Sequence, residues 1–236
     1  MNTNDMLAIL AELFDSFSFH ELFLEELGSL LKKDLKGKEN RFFKMLSTQL
    51  NHIRTFGRAI YTVDGHEILQ GADGHYYSIH LQQSQFNVRL LVYISDDDTP
   101  YFLCAFNEKS GKRKTDYSAY TKVMLGAFKR LWRCFMMDKN KVCTVDDLFA
   151  LFADVLSPAD VLSAKLMGQI SSAITKERLD LNLTQKEFAS YIDATQSLVS
   201  RWERGDYNFS INKIAEIASK LDLDVNITMS HLEQSV

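Results

Sequence analysis

Apolar residues recur every three to four positions through the N-terminal part of the chain, which is the spacing of helices with one buried face. Leu7, Leu10, Leu13, Phe14 and Phe17 form one such stripe. Leu22, Phe23, Leu27, Leu30 and Leu31 form a second, and Phe42, Met45, Leu46, Leu50 and Ile53 a third. Ser18-Phe19-His20-Glu21 has the spacing of a capping box and predicts the start of the second helix. From Gly57 the period changes to two. Strands are expected at Tyr76–Leu81, Val88–Ile94 and Tyr101–Phe106, with turns at Asp64-Gly65 and Asp73-Gly74 and a hairpin connection at Asp96-Asp97-Asp98. A basic loop, Lys109 to Lys114, then leads into a helix from about Tyr117 to Phe135. Thr144-Val145-Asp146-Asp147 and Ser157-Pro158-Ala159-Asp160 are further helix starts. Leu148, Phe149, Leu151, Phe152 and Leu156 between them read as core or packing surface, not as a tether.

The helical period returns near the C-terminus in two short segments. Across Leu183 to Gly205 (LTQKEFASYIDATQSLVSRWERG), Thr184 can cap a first helix with Glu187 as its partner, and Phe188, Ala189 and Ile192 make its apolar face. A turn follows at Asp193-Ala194-Thr195. The second helix buries Leu198, Val199 and Trp202, which directs Gln196, Ser197, Ser200, Arg201 and Arg204 elsewhere, and Gly205 ends it. Ile170, Ile174 and Leu179 imply a helix before this pair, and Ile211, Ile214, Ile217, Ala218 and Leu221 one after it.

Periodicity alone gives a helical hairpin; the residue identities say more. The segment resembles the helix-turn-helix of the Cro/C1 (XRE) repressors, whose LTQ-x-x-x-A, small turn and S-x-x-S-x-W/I-E-x-G are matched almost throughout, with similarity from about Leu166 to Met229. The resemblance implies a recognition helix that enters the major groove by its N-terminal end while the first helix lies across the phosphates. Carried onto this chain, it makes Thr195, Gln196, Ser197, Ser200 and Arg201 base-edge or flanking candidates, turns Gln185 and Lys186 toward phosphate, and adds Arg204 to the DNA-facing set. Gln pairs bidentately with adenine and Arg with guanine, so these residue types suit that role. For each of them the plainer alternative is a solvated polar position. Glu203 fits better as an internal tie.

The 236 residues exceed one small repressor domain by a wide margin, and 46% hydrophobic content supports a real core in the remainder. The net charge of -4 gives little general attraction for phosphate, so pairing of two half-sites by a homodimer is expected. Cys104, Cys134 and Cys143 have no metal-type spacing and read as reduced core thiols of a cytosolic protein. No signal peptide, membrane span, cofactor or metal motif is expected.

The order of helices, meander, basic loop and helix resembles the RelE/HigB superfamily of toxin ribonucleases. The words that carry the likeness are ILQGADGHYYSIHL, NVRLLVYIS and YFLCAFNEKSGKRKTD, between about Phe42 and Trp132. Two departures stand out: Ser78-Ile79-His80 replaces the usual E-L-R, and Asp116 replaces the proline after the basic run. The resemblance implies a fused HigBA-like toxin and antitoxin, with Leu223–Met229 as a terminal extended segment. It makes Arg89, Lys109, Lys112 and His80 the catalytic candidates, with Tyr93 as a further proton-transfer group, and RNA or the ribosome a partner. From Tyr101 to Arg133 eight cations face two acids, a net +6 inside an acidic chain. The plain alternatives are a solvated basic loop, an ordinary sheet histidine and a core tyrosine.

The sequence therefore predicts an α+β chain: N-terminal helices with a small antiparallel sheet over 1–140, a helical connector over 141–164, and an all-α λ-repressor-like reader over 165–236. The function expected is a cytoplasmic transcriptional regulator that binds a double-stranded DNA operator, with its toxin-like part restrained or degenerate. Two alternatives stay open: an active mRNA-cleaving ribonuclease autoregulated by its fused reader, and a ligand- or partner-sensing repressor with an unrelated N-terminal domain.

Overall fold

A computed structural model describes residues 2–69, 75–108, 123, 125–132 and 142–229. Asn2 caps helix α1 (Thr3–Ala11) by accepting from the Asp5 amide at 3.0 Å. The capping box expected at Ser18 does not form. Ser18–His20 is instead a strand, β1, and His20 caps α2 (Glu21–Lys33) through Nδ1, which accepts from the Leu22 amide at 3.1 Å. Phe19 supplies the reason. It is buried and stacks on Phe102 with ring centroids 4.7 Å apart, which holds the segment extended. Helix α3 (Glu39–Phe56) follows.

The expected meander is present as β3 (Tyr76–Gln83), β4 (Phe86–Ile94) and β5 (Pro100–Asn107), each slightly longer than its alternation predicts. Three short strands extend it: β1, β2 (His66–Ile68) and β6 (Val142–Cys143), in the order β2-β3-β4-β5-β1-β6. The sheet is therefore mixed, not purely antiparallel, because β1 lies parallel to β5. Residue 123 and residues 125–132 are helical, and the latter form α4; these are the described part of the helix expected over 117–135. The basic loop and the Asp73-Gly74 turn lie outside the described residues.

The two faces of the sheet carry separate cores. Tyr77, Ile79, Leu81, Val88, Leu90, Val92 and Phe102 pack against α1, α2 and α3, whereas Tyr76, Leu91, Leu103 and Cys104 pack against Ala127 and Leu131 of α4. A bulge in β5 maintains this division. Leu91 faces Cys104 but Val92 faces Phe102, so Leu103 is the extra residue and resets the alternation. Burial pushes the Cys104 thiol up to about 12, as befits an inert core cysteine.

The connector belongs to the first of these cores. Leu148 and Phe149 of α5 (Val145–Ala150), with Phe152 and Leu156, are buried among the α1 and α3 side chains. Ser157 and Asp160 then form the capping box of α6 (Pro158–Asp180), which runs beside α3. Close approach depends on Gly168, where a Cβ would stand 2.5 Å from Asn51 Nδ2. Further along, Thr175 Oγ1 lies 3.3 Å from His52 Nε2. The C-terminal half of α6 enters a third core with α7 (Gln185–Tyr191), α8 (Gln196–Glu203) and α9 (Ile211–Lys220), built on Ile174, Phe188, Val199, Trp202 and Ile217. Residues 223–229 form no strand. No helix among the described residues is long and apolar enough to cross a membrane.

Candidate nucleic-acid interface

Local chemistry fixes both ends of α7 and α8. Thr184 and Glu187 form the expected capping box, with the Glu187 carboxylate accepting from the Thr184 amide and hydroxyl at 2.8 and 2.7 Å. These bonds hold the Glu187 carboxyl below its ordinary pKa, the backbone donor contributing most. The intervening turn requires a left-handed residue, and Asp193 adopts φ 51° there. Lys220 of α9 grips that turn, donating to Asp193 Oδ2 and the Ile192 carbonyl, each at 2.8 Å. Thr195 caps α8 by accepting from the Leu198 amide, and Gly205, at φ 73°, closes its other end while the Asp206 amide bonds back to the Arg201 carbonyl.

A buried polar tie joins the three helices. Arg178 of α6 donates to both Glu203 oxygens at 2.5 and 3.1 Å and to the Leu183 carbonyl at 2.9 Å. Gln185 Nε2 donates to Glu203 Oε2 at 2.8 Å. Every partner in this group is satisfied by another element, so the orientation of α8 is set by chemistry inside the unit. Glu203 thus has the internal role expected of it. Gln185 stands at the α7 N-terminus as predicted, but its side chain is buried and its amide is engaged in this tie.

The other predicted residues are distributed along the outside. Lys186, Thr195, Gln196, Ser197 and Arg201 are exposed, and Ser200 and Arg204 are half-buried. Arg204 folds back so that Nε donates to the Ser200 carbonyl at 3.2 Å. Arg201 reaches the Asp206 carbonyl at 3.2 Å, with its guanidinium 5.5 Å from the centre of the Tyr207 ring. Residues 174–227 match the Helix-turn-helix (HTH_3) family. This part of the chain is an XRE-type helix-turn-helix. It points to a DNA-binding regulator of transcription. The match does not extend into the N-terminal region, and the chain matches no curated protein and no solved structure. In the helix-turn-helix, α7 and α8 are the paired helices and α8 is the one in the recognition position.

The sheet carries a second group of predicted residues. His80 and Arg89 are direct cross-strand partners on β3 and β4. Arg89 Nε donates to Glu108 at 2.7 Å, while Nη1 donates to Glu67 at 3.2 Å and to Ser78 Oγ at 3.1 Å. His80 Nε2 bonds the Asn87 side chain and lies 3.5 Å from Glu108; burial lowers its pKa below the ordinary histidine value. Beside them is an open depression of about 370 Å³ formed by the β3–β4 turn with Asn107 and Glu108. Tyr93 instead joins an aromatic group with Tyr76 and Tyr101. Lys109 and Lys112 lie outside the described residues. Nothing in the sequence signals that the carboxylates Glu67 and Glu108 converge on Arg89.

Proposed function

We propose that the chain is a cytosolic, sequence-specific transcriptional regulator of the XRE type that reads a double-stranded DNA operator as a homodimer. One observation carries the reading. Gln196, Ser197 and Arg201 stand outward on α8, while Val199, Trp202 and Glu203 fasten its opposite side to the rest of the unit. Residue types able to discriminate bases are thereby presented on a helix of fixed orientation. A single α8 covers one half-site, so a two-fold pair is the economical way to lengthen the site. Selection of binding sequences from a random duplex library tests the proposal. The expected result is a pseudo-palindrome with half-sites one helical turn apart or a multiple of it. No enrichment over the starting library would end it.

The N-terminal part reads best as a RelE/HigB-like domain whose ribonuclease chemistry is restrained or degenerate. The proximity of His80 and Arg89 supports the likeness, and the two carboxylates on Arg89 support the silence. A guanidinium stabilises a crowded phosphorus centre only when its charge is available, and here Glu67 and Glu108 offset it. Full-length protein should leave a messenger RNA intact under conditions in which it binds DNA. Cleavage abolished by Arg89→Ala would favour the autoregulated ribonuclease instead.

A further inference from the structure

The last turn of α2, the loop that follows it and the start of α3 are basic. Lys32, Lys33, Lys36, Lys38, Arg41 and Lys44 face Asp34 and Glu39, a net +4 in a chain of -4. Three of these cations, Lys38, Arg41 and Lys44, line an open cleft of about 520 Å³ together with Arg201, Asp206 and Asn208 of the helix-turn-helix; Glu39 is its other acid. Arg41 donates to Asp206 Oδ1 through Nε at 3.0 Å and Nη2 at 2.8 Å. Arg201 approaches the other Asp206 oxygen at 4.0 Å. Ser197, Arg201 one turn further on, Asp206 and Arg41 therefore form one continuous strip from the reading end of α8 to the N-terminal unit.

Charge and spacing give the strip a purpose. Asp206 alone beside a duplex would repel phosphate, but two arginines and the neighbouring lysines reverse the local sign. Lys38 Nζ is held by the carbonyls of Asp34 and Gln85, which position its charge without neutralising it. Arg41 remains about half exposed, at 48% of its side chain. An eight-residue helix is roughly 12 Å long, about the width of the major groove. A duplex entered by the N-terminal end of α8 therefore has its flanking phosphates near the other end, where Arg41 stands. Gly205 lies directly against Thr48, with no room for a Cβ between them, so α3 abuts that end of α8.

We propose that the N-terminal unit completes the DNA interface, with Arg41, Lys38 and Lys44 holding backbone phosphates that flank the groove read by α8. The proposal rests on the DNA-binding reading of the helix-turn-helix. Full-length protein titrated at several salt concentrations against a random-sequence duplex of about 30 base pairs, three helical turns, tests it by fluorescence anisotropy. Each lost phosphate contact lowers the exponent of the salt dependence by about 0.9. Arg41→Gln and Lys44→Gln should each do so, weakening random and selected sites by the same factor. Arg41→Lys should retain the wild-type exponent, because a phosphate contact needs the charge, not the fork. If wild type binds and both Gln variants keep its exponent, the proposal alone is overturned. If Arg41→Lys loses as much as Arg41→Gln and both melt lower, Arg41 is only an internal tie to Asp206 and the proposal is again overturned. A wild type that binds no duplex overturns the helix-turn-helix reading itself, and this one with it.

Discussion

Arg178 and Glu203 form a buried, two-pronged ion pair between α6, the helix that leaves the N-terminal core, and α8, with side chains 5% and 1% exposed. Breaking one member of such a pair leaves an uncompensated charge in a poorly solvated site, at a cost of about 3–5 kcal/mol. Glu203→Leu and Arg178→Met should each lower the urea midpoint sharply. The double variant should recover much of the loss, since a matched apolar pair carries no stranded charge. Additive losses in the double variant would refute the coupling.

Base reading should be separable from stability. Gln196→Ala and Arg201→Ala remove exposed side chains, so the melting temperature should barely move. Each should instead flatten discrimination at one operator position by about 1–3 kcal/mol. Competition titrations with single-base variants of the selected site measure this. Unchanged discrimination in both variants would remove these residues from the reading surface.

Stability should fall in mild acid through two buried histidines. His52 and His66 are buried, and burial brings their pKa values down to about 3 and about 4 from the ordinary 6.5. Well above pH 6.5 both are neutral whether folded or unfolded and contribute no pH dependence. Below it the unfolded chain takes up protons that the folded chain refuses, so stability declines as pH falls toward the folded values. Between pH 6.5 and about 5, carboxylates are still largely ionised, so the slope there belongs mainly to histidines. A His52→Gln, His66→Gln double variant should flatten the dependence of the urea midpoint in that window; an unaltered slope would assign it elsewhere.

Gly205→Ala should be costly for two reasons. The residue sits at φ 73°, and an added Cβ would collide with the Thr48 side chain of α3. The left-handed conformation alone accounts for about 1–2 kcal/mol. Adding Thr48→Ala removes the hydroxyl and methyl but keeps the Cβ, 2.7 Å from the added one, so it should return only part of the steric loss and none of the backbone part. If Gly205→Ala melts like wild type, neither constraint operates.

Legibility followed sequence distance. The helix-turn-helix was readable because its determinants are local: the Thr184–Glu187 cap, the turn at Asp193 and the apolar period of α8 all fall within a few residues. The meander was readable through its alternation. β1, β2 and β6 were not, since two or three residues carry no period, and at β1 a plausible local cap lost to the long-range stack of Phe19 on Phe102. The outward residues of α8 were found by spacing, but the engagement of Gln185 with Glu203 needed the tertiary fold. Arg41 and Asp206, 165 residues apart, carry no local sign that they will meet, nor do Glu67 and Glu108 on Arg89.

Helix α6 passes without interruption from the core beneath the sheet into the core of the helix-turn-helix. It therefore works as an axle. Each residue added to or removed from an α-helix turns the downstream chain by about 100° and shifts it by about 1.5 Å. A length change midway along α6 would leave every residue of α7 and α8 intact yet turn the pair relative to the rest of the chain. The orientation of α8 is thus a property of the whole chain, and a perturbation of α3 has a mechanical route to it.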